Sequence, residues 1–427
     1  MREQGRGASN PRIVLAFLLL AYIFNFLDRT ILSFLAAPIK ADLNLSDTQF
    51  GAISGLAFAL LYSFLGIPLA ILADRTRRSW VIAGSLAVWS AFTALFGTAV
   101  TLAQLFLFRL GVGVGEAGGV APSYALIADY FPPQRRSRAL AIFSLGVPLG
   151  LASGALISAY LASWIDWRAV FKTMGIAGIL LAPLMLWLVR DPPRSRAAGT
   201  APTIGLFQAL PTIAAKPTFW LMALAASFSS LAGYGLAAWV PSIMIRSFGF
   251  SLPHTGQFLA SLYLIGGTAG VLAGGWFADR LGQRDRRWYA RLPMIAWIVT
   301  APMFAIGLMA PNAWIAWIFL LLPNALNILW LGPVTTAVQH LVSREKRATA
   351  SASFLLINNL IGLGVGPILI GALSDAFKAR LGDEALRYAA VSVVGFYLLA
   401  ALLMAFAVRR VARDWVDEET GADLSRG

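Results

Sequence analysis

The chain of 427 residues contains no cysteine, and only 13% of its residues are charged. Without cysteine, neither a disulfide framework nor a thiolate metal site can form. The two histidines, His254 and His340, lie far apart in the sequence and give little basis for a histidine metal site. A soluble domain carries about 25% charged residues, so this chain has too few to cover the surface of a soluble enzyme. These shortages exclude a soluble enzyme of this length.

Long apolar stretches occupy the chain instead, with 58% hydrophobic residues and a mean hydropathy of +0.72. A membrane-spanning helix needs about 20 mainly apolar residues, and the first such stretch follows a polar N-terminus and is too long for a signal peptide. The sequence therefore predicts an all-α polytopic membrane protein, with a capping box at Ser46 and Gln49 that starts the second span. The twelve expected spans are 12–38, 48–73, 79–98, 102–129, 138–162, 168–189, 217–245, 255–278, 292–310, 313–341, 348–374 and 387–409.

Basic residues are distributed unevenly between the two sides of this predicted membrane protein. If both termini and the even-numbered loops share one side, that side carries 25 of the 34 Lys and Arg residues, and the other side carries seven. The positive-inside rule then puts both termini in the cytoplasm of a multi-pass protein of the cell (inner) membrane. The net charge of +14 is thus mostly an orientation signal, and we expect no nucleic-acid partner.

The sequence repeats itself at about half its length. The loops after the second and eighth spans both contain Ala-Asp-Arg, and their aspartates, Asp74 and Asp279, are 205 residues apart. We therefore predict two parallel six-helix halves, an arrangement found in secondary transporters. The expected parts are a cytoplasmic N-terminal tail, a six-helix bundle, a cytoplasmic linker, a second six-helix bundle and a cytoplasmic C-terminal tail, at 1–11, 12–190, 191–215, 216–411 and 412–427.

Four charged residues lie well inside predicted spans: Asp28 and Arg29 in the first, Arg109 and Glu116 in the fourth. An ionisable group at the bilayer centre costs about 2.5–3.5 kcal/mol on insertion scales, so such groups usually face a cavity or each other. We predict that these four couple proton binding to substrate binding. A buried structural ion pair that only joins two helices is the alternative.

The depth of each charge predicts which charges pair. At about 1.5 Å per residue, Asp28 lies about 24 Å above the cytoplasmic boundary and Arg109 about 10 Å below the outer boundary of a core about 30 Å thick. These depths predict that Asp28 pairs with Arg109, or with its neighbour Arg29, in at least one conformation. Glu116 is expected to lack a nearby cation, and a carboxylate in an apolar cavity can exchange a proton near neutral pH. Glu116 is the first choice for the proton carrier and Asp28 the second.

The stretch Gly113-Val-Gly115-Glu-Ala-Gly118 in the fourth span has the glycine spacing of a dinucleotide-binding loop. No strand–helix–strand unit surrounds it, so we expect neither a nucleotide nor any other cofactor. These glycines, like Gly146 and Gly150 in the fifth span, are expected to let helices approach closely.

The loop after the eighth span reads Gly-x-x-x-Asp-Arg-x-Gly-x-Arg, and the loop after the second departs from it at Ala70 and Arg77. This pattern resembles the signature loop of the major facilitator superfamily, and the implied fold covers nearly the whole chain. The resemblance implies a cytoplasmic latch that closes an inner gate; the alternative is that these residues only anchor the topology. The implied gate residues are Asp74, Arg75, Arg78, Asp129, Asp279, Arg280 and Arg284.

Three segments together, 25–29, 109–117 and 147–150, resemble one branch of that superfamily, the Spinster-like transporters. Animal members of the branch are similar to carriers of lysophospholipids or phosphorylated sphingoid bases, some of them proton-dependent. The resemblance therefore implies an amphipathic, lipid-like substrate. Gly118 and Gly119 stand where it implies Ser and Tyr.

Aromatic side chains near these charges suit an amphipathic ligand, although contact with lipid or with a neighbouring helix suits them equally. Asparagines of the C-terminal half are expected to line the other side of the cavity, and hydrogen bonds between helices are the equal alternative for them. The expected cavity residues are Asn25, Phe58, Tyr62, Asn324, Asn327 and Asn358.

The predicted function is secondary active transport by alternating access, in which a monomer surrounded by membrane lipids moves an amphipathic, lysolipid-like substrate together with protons. The nearest alternative is a multidrug exporter for cationic amphiphiles. A channel or a lipid scramblase is the alternative from another class. We expect no enzyme, because no nucleophile, base and orienting group occur at usable spacing.

Overall fold

The structure is a computed structural model that describes residues 9–192, 206–282 and 284–416, without the side chains of 206–209, Gly275, Ala278 and Asp279. Every regular element within these ranges is helical, which confirms the all-α prediction. The α-helices are α1 (Pro11–Phe34), α2 (Ala36–Leu43), α3 (Asp47–Ala52), α4 (Phe58–Arg75), α5 (Arg78–Phe96), α6 (Leu102–Glu116), α7 (Val120–Tyr130), α8 (Pro133–Ser144), α9 (Gly146–Leu161), α10 (Trp167–Leu188), α11 (Leu206–Ala214), α12 (Pro217–Arg246), α13 (Leu252–Leu262), α14 (Thr268–Gly282), α15 (Trp288–Leu308), α16 (Ala313–Leu326), α17 (Leu331–His340), α18 (Arg347–Asn358), α19 (Gly366–Leu381) and α20 (Ala385–Val411).

Eleven helical segments in the described chain are long and apolar enough to cross a membrane. The last of them, Arg344–Val411, has 68 residues, whereas one crossing needs about 20. It is divided at Gly382, whose φ of +54° suits glycine and follows the end of α19. This segment therefore holds two spans, and the predicted set of twelve agrees with the structure. The largest boundary differences are at Pro133, where α8 starts earlier than predicted, and at Leu381, where α19 ends later.

Polar side chains cap the first turns of several helices. The Ser46 hydroxyl accepts a hydrogen bond from Gln49 N at 3.2 Å, and the Gln49 side chain accepts one from Ser46 N at 3.0 Å. The predicted capping box is thus confirmed at the start of α3. Thr101, Asp166 and Asn312 cap α6, α10 and α16 through one side-chain oxygen each. Such caps satisfy N–H groups that the first helical turn leaves unpaired.

Glycines bring helices into backbone contact, as the sequence predicted. A methyl group at Gly113 of α6 would lie 2.6 Å from the carbonyl oxygen of Phe58 at the start of α4. A methyl group at Gly150 of α9 would lie 2.7 Å from the carbonyl oxygen of Ile23 in α1. Only glycine permits these approaches without a shift of one helix, so small residues set the distances between the spans that carry the charged site.

The chain divides into two compact units. The first contains the described residues of Met1–Ser195 together with Leu236–Ile265 and Pro367–Ala389. The second contains those of Arg196–Gly235, Gly266–Gly366 and Ala390–Gly427. The first unit thus includes one end of spans seven, eight, eleven and twelve in addition to the first six spans. The predicted division into bundles 12–190 and 216–411 follows sequence symmetry rather than contacts and stays a prediction.

Candidate functional site

Span four is interrupted near its middle, and Glu116 lies at the interruption. Helix α6 ends at Glu116, and α7 begins at Val120. Between them the backbone makes tighter hydrogen bonds, from Gly118 N to Gly115 O (3.3 Å) and from Gly119 N to Glu116 O (3.1 Å). The Glu116 side chain is fully buried at this break. Discontinuous helices near the bilayer midplane are where secondary transporters form ion and substrate sites.

Glu116 forms an ion pair with Arg29 of span one. Arg29 Nε donates to Glu116 Oε2 at 2.7 Å, and only 14% of the Arg29 side chain is exposed. The expectation that Glu116 lacks a nearby cation is therefore wrong. Residue counting gives the height of a Cα atom, whereas the long stem of an arginine carries its guanidinium well away from that point.

Asp28 makes a different contact, with span three. Thr93 Oγ1 of α5 donates to Asp28 Oδ2 at 2.6 Å, and both side chains are buried. In this conformation Thr93 is the hydrogen-bond partner of Asp28, and the predicted pairing of Asp28 with Arg109 or Arg29 in at least one conformation stays a prediction. Consecutive helical residues point about 100° apart, so Arg29 faces Glu116 while Asp28 faces Thr93. Both Asp28 and Thr93 border a cavity of about 10 Å³, which has room for about one water molecule.

Aromatic rings surround the Arg29 guanidinium. Its Cζ atom lies 5.2, 4.5 and 4.9 Å from the ring centres of Phe26, Phe58 and Tyr62, respectively. The Cζ atom of Arg109 lies 4.9 Å from the centre of the same Phe58 ring. Cation–π contacts of this kind contribute about 0.5–2 kcal/mol each. Phe58, which is only 1% exposed, thus holds two cations beside one ring.

Buried polar atoms without a hydrogen-bond partner occur at the same place. They are Oε1 of Glu116, Nε of Arg109 and Oδ1 of Asn25. Because native structures leave few such atoms unpaired, a group of them indicates a functional site. The two carboxylates and the two guanidiniums lie near enough to interact electrostatically. Their charges balance while all four are ionised, so uptake of one proton leaves the site with a net positive charge.

The predicted asparagines of the C-terminal half make hydrogen bonds of their own within the second unit. Asn358 Oδ1 accepts from Ser230 Oγ at 2.9 Å, and Asn327 Oδ1 accepts from Tyr397 Oη at 2.8 Å. The Asn324 amide donates to the carbonyl oxygen of Leu320 at 2.8 Å, within its own helix. The first two bonds join neighbouring helices. This agrees with the alternative expectation, in which these asparagines bond between helices instead of lining a substrate cavity. A role of these residues in a substrate cavity stays a prediction.

The loop after span two brings three of the predicted gate residues together. Arg78 donates to Asp74 at 3.0 Å and also pairs with Asp129 of α7. Arg75 is exposed and takes no part in this group. A gating role for all four stays a prediction.

The corresponding loop after span eight is described only in part. Arg280 is exposed, and its Cζ lies 5.4 Å from the centre of the Trp276 ring. Arg284 is also exposed. The side chain of Asp279 lies outside the described residues, so its predicted role stays open to test.

Replacing Arg78 by glutamine is expected to slow transport and to lower the melting temperature, whereas the same change at Arg75 is expected to have little effect on either. Arg78→Gln leaves two carboxylates without their shared cation, and hydrogen bonds to charged groups are worth about 1.5–3 kcal/mol. Initial transport rates in proteoliposomes and thermal melting in detergent measure the difference. Equal behaviour of the two variants would contradict a specific role for the Arg78 group.

A group of charged residues that the sequence did not single out lies at the predicted outer end of the first unit. Asp47 pairs with Lys40, accepts from both terminal nitrogens of Arg246 at 3.1 Å, and accepts from Ser374 Oγ at 2.7 Å. Asp375 accepts from the backbone N–H of Asp47 at 3.1 Å. We call these five residues the outer clasp. It joins the start of span two to the ends of spans seven and eleven.

One sequence signal pointed toward the outer clasp. Only seven basic residues fall on the predicted outer side, and Lys40 and Arg246 are two of them. Basic residues on the predicted outer side are exceptions to the positive-inside rule, and this makes them candidates for pairing with acidic groups. The sequence could not supply the partner, because Asp47 and Arg246 are 199 residues apart.

A helical membrane protein with a buried, balanced charge site at a broken helix belongs to the class of secondary transporters. The sequence matches the Major Facilitator Superfamily over residues 18–363, and the chain belongs to that superfamily. It is therefore a multi-span membrane transporter of a small-molecule substrate.

Relatives and solved structures agree with the Spinster-like resemblance. The chain is 36% identical to a protein of Mycolicibacterium smegmatis named MFS-type efflux pump, over 92% of both chains. It is 26% identical to protein spinster homolog 1 of Xenopus laevis, over 87% of this chain and 75% of that protein. The structure is similar to the crystal structure of a bacterial homologue of the human lysosomal transporter Spinster in an inward-facing, unoccupied conformation. That match has a TM-score of 0.84 and 30% identity, and it covers 96% of this chain and 99% of the other.

Proposed function

We propose that this transporter moves an amphipathic, lipid-like substrate by alternating access and couples the movement to protons. The substrate class is a lysolipid or a sphingoid phosphate, and the membrane is a bacterial inner membrane with both termini in the cytoplasm. The two bundles, 12–190 and 216–411, would rock around the charged site as a monomer.

The observation that carries the proposal is the state of Glu116. One carboxylate oxygen accepts from Arg29, and the other is buried with no hydrogen bond of normal geometry, although the Asn25 side chain lies near the carboxylate. An unsatisfied carboxylate oxygen of this kind is a ready acceptor for a proton. Whether Glu116 binds a proton then depends on whether Arg29 stays paired with it.

The charges suggest how substrate and proton binding are linked. An anionic headgroup that attracts Arg29 would take the cation away from Glu116, and the isolated carboxylate would then bind a proton. The rings of Phe26, Phe58 and Tyr62 provide apolar surface beside that headgroup. Anion binding and proton binding would therefore favour each other, as a symporter requires.

The second candidate, export of cationic amphiphiles, is favoured by the 36% identity to a protein named as an efflux pump. A cationic ligand would compete with Arg29 for Glu116 and would displace a bound proton. Substrate and proton binding would then oppose each other, as an antiporter requires. The two candidates thus predict opposite changes in bound protons.

Proton exchange on ligand binding tests the proposal. We expect lysophosphatidylglycerol, added below its micellar concentration to purified protein in weak buffer, to cause proton uptake and a rise in pH. Tetraphenylphosphonium is the cationic probe, and proton release with it alone would favour the exporter. The same additions to Glu116→Gln should change the pH no more than a protein-free blank. Binding without proton exchange would contradict the coupling.

Flux measurements separate a carrier from a channel or a scramblase. In proteoliposomes, a carrier gives saturable uptake that unlabelled substrate inside the vesicles accelerates. Flux that rises linearly with concentration and shows no exchange would contradict alternating access.

A further inference from the structure

A groove of about 460 Å³ lies in the second unit, away from the charged site. Its walls come from α12, α20 and the corner between α11 and α12. Its apolar lining includes Trp220 and Leu224 of α12 and Phe406 of α20, and its charged lining residue is Arg410. All of these residues belong to the second unit, so the groove is complete within it.

The groove has an apolar part and a cationic end. Phe406 and Arg410 are four residues apart on α20 and therefore share one face of the helix. Arg410 is in the last turn of α20, at the predicted cytoplasmic end, and Phe406 lies about 6 Å deeper at 1.5 Å per residue. Leu224 lies about 10 Å deeper than Pro217, the first residue of α12. The apolar walls thus run from the charged end into the membrane.

Both aromatic walls are exposed, and a hydrogen bond holds one of them in place. Trp220 is 41% exposed and Phe406 is 48% exposed, although both are large apolar side chains. The indole N–H of Trp220 donates to the carbonyl oxygen of Ala214 at 3.0 Å, which holds the ring across the corner between α11 and α12. Tryptophan is enriched at this depth because its ring suits the headgroup region.

The basic groups at this end are only partly neutralised by the described chain. Arg410 is exposed, and so is its neighbour Arg409. Neither makes an ion pair with a described residue, whereas Arg413 pairs with Asp414 at 3.4 Å. Asp414 also accepts from Thr218, so this acid of the described chain already has partners. Among the described residues, the end of the groove therefore carries an excess of positive charge.

We infer that this groove binds an anionic phospholipid of the surrounding leaflet. Arg410 would hold the phosphate through its guanidinium, and an acyl chain would lie against Trp220, Leu224 and Phe406. Charge complementarity selects an anionic headgroup, and the continuous apolar wall selects a molecule with a long hydrocarbon chain. Basic pockets between spans on the cytoplasmic side bind lipid headgroups by the same physics.

The test measures lipid affinity of the purified full-length protein by native mass spectrometry. The probes are phosphatidylglycerol and phosphatidylcholine with identical acyl chains, with inorganic phosphate as the headgroup control. We expect phosphatidylglycerol to bind more tightly than phosphatidylcholine and Arg410→Gln to weaken it about fivefold, as removal of one interfacial cation should. Arg409→Gln, which removes the same charge outside the groove, should leave the affinity unchanged within error.

Four outcomes would overturn the inference. Equal affinity for the two phospholipids would mean that the groove does not select an anion. Equal losses from Arg409→Gln and Arg410→Gln would mean that only bulk charge matters. Saturation by inorganic phosphate at the same concentration would indicate a free-phosphate site. If Arg410→Gln lowered the melting temperature equally with and without lipid, the guanidinium would be paired within the chain, for example by the acidic residues at 417–419.

Discussion

Glu116→Gln is expected to abolish proton-driven accumulation of substrate while substrate binding survives. Glutamine keeps the shape of the side chain but cannot exchange a proton, so the step that links the gradient to transport is lost. It also keeps an oxygen that can accept from Arg29, so the contact between spans one and four is weakened rather than removed. Uptake into proteoliposomes with an imposed pH gradient should fall to the background, and exchange without a gradient should continue in part.

The matched control for this prediction is Asp28→Asn. It also replaces a buried carboxylate by the matching amide, but on α1 instead of α6. The hydrogen-bond partner of that carboxylate is the Thr93 hydroxyl. We expect it to slow transport without uncoupling it from protons. If Glu116→Gln still accumulates substrate with unchanged pH dependence, Glu116 is structural, and the assignment of the proton carrier moves to Asp28.

Asp47→Asn is expected to open the predicted outer end of the first unit. Asp47 is the acceptor that Lys40, Arg246 and Ser374 share, and it is 4% exposed. Removing one partner of a buried charge pair costs about 3–5 kcal/mol, because the remaining charges lose their compensation. Since the side chains of Lys40 and Arg246 keep 15% and 26% exposure, we expect the lower end of that range. The population opened at this end should rise about a hundredfold.

Cysteine labelling measures this opening without background labelling, because the chain has no cysteine of its own. Thr255 of α13 is fully buried in the first unit, and Thr255→Cys provides the reporter. A membrane-impermeant maleimide should label this position much faster when Asp47→Asn is added. Unchanged labelling would show that the outer clasp does not hold this end closed.

Asp42→Asn is the control for the clasp experiment. Asp42 lies on the same side and pairs with Arg168, whose hydrogen bond holds the pKa of the Asp42 carboxyl below its ordinary value. Asp42 is exposed, however, and exposed ion pairs contribute only about 0–1 kcal/mol. Its replacement should leave the labelling rate of Thr255→Cys close to that of the parent. A rise as large as that from Asp47→Asn would mean that charge on this side, rather than the clasp, controls opening.

Alkaline pH is expected to weaken the outer clasp in part, without abolishing it. Burial lowers the pKa of the Lys40 ammonium, and the hydrogen bond to Asp47 opposes that shift. As the pH rises through that pKa, Lys40 loses its charge, and its contribution to the clasp weakens. Arg246 keeps its charge at any pH that the protein survives, so the clasp retains one cation.

The membrane architecture was predictable because it depends on local properties of the sequence. Spans followed from stretches of apolar residues, and the capping box at Ser46 followed from residues three positions apart. The close helix contacts at Gly113 and Gly150 followed from the absence of a side chain. None of these features requires knowledge of which helices are neighbours.

The choice of four intramembrane charges as the site also came from the sequence, because a charge in hydrocarbon is expensive wherever it lies. Their pairing did not follow, however. The sequence favoured Asp28 with Arg109, whereas the structure pairs Arg29 with Glu116 and Asp28 with Thr93. Residue counting gives the height of a Cα along its span, but helix rotation and side-chain length decide which groups meet.

The sequence by itself determined the class of structure, the twelve spans and the buried charges, because hydrophobicity, helical periodicity and the cost of burying charge act on each segment separately. Only the tertiary structure decided the partners: Arg29 for Glu116, the ring of Phe58 between two guanidiniums, and Asp47 as the centre of the outer clasp. Those contacts join residues that lie between 7 and 328 positions apart in the sequence. Their formation depends on how the helices rotate and pack, which the spacing of residues along one helix does not specify.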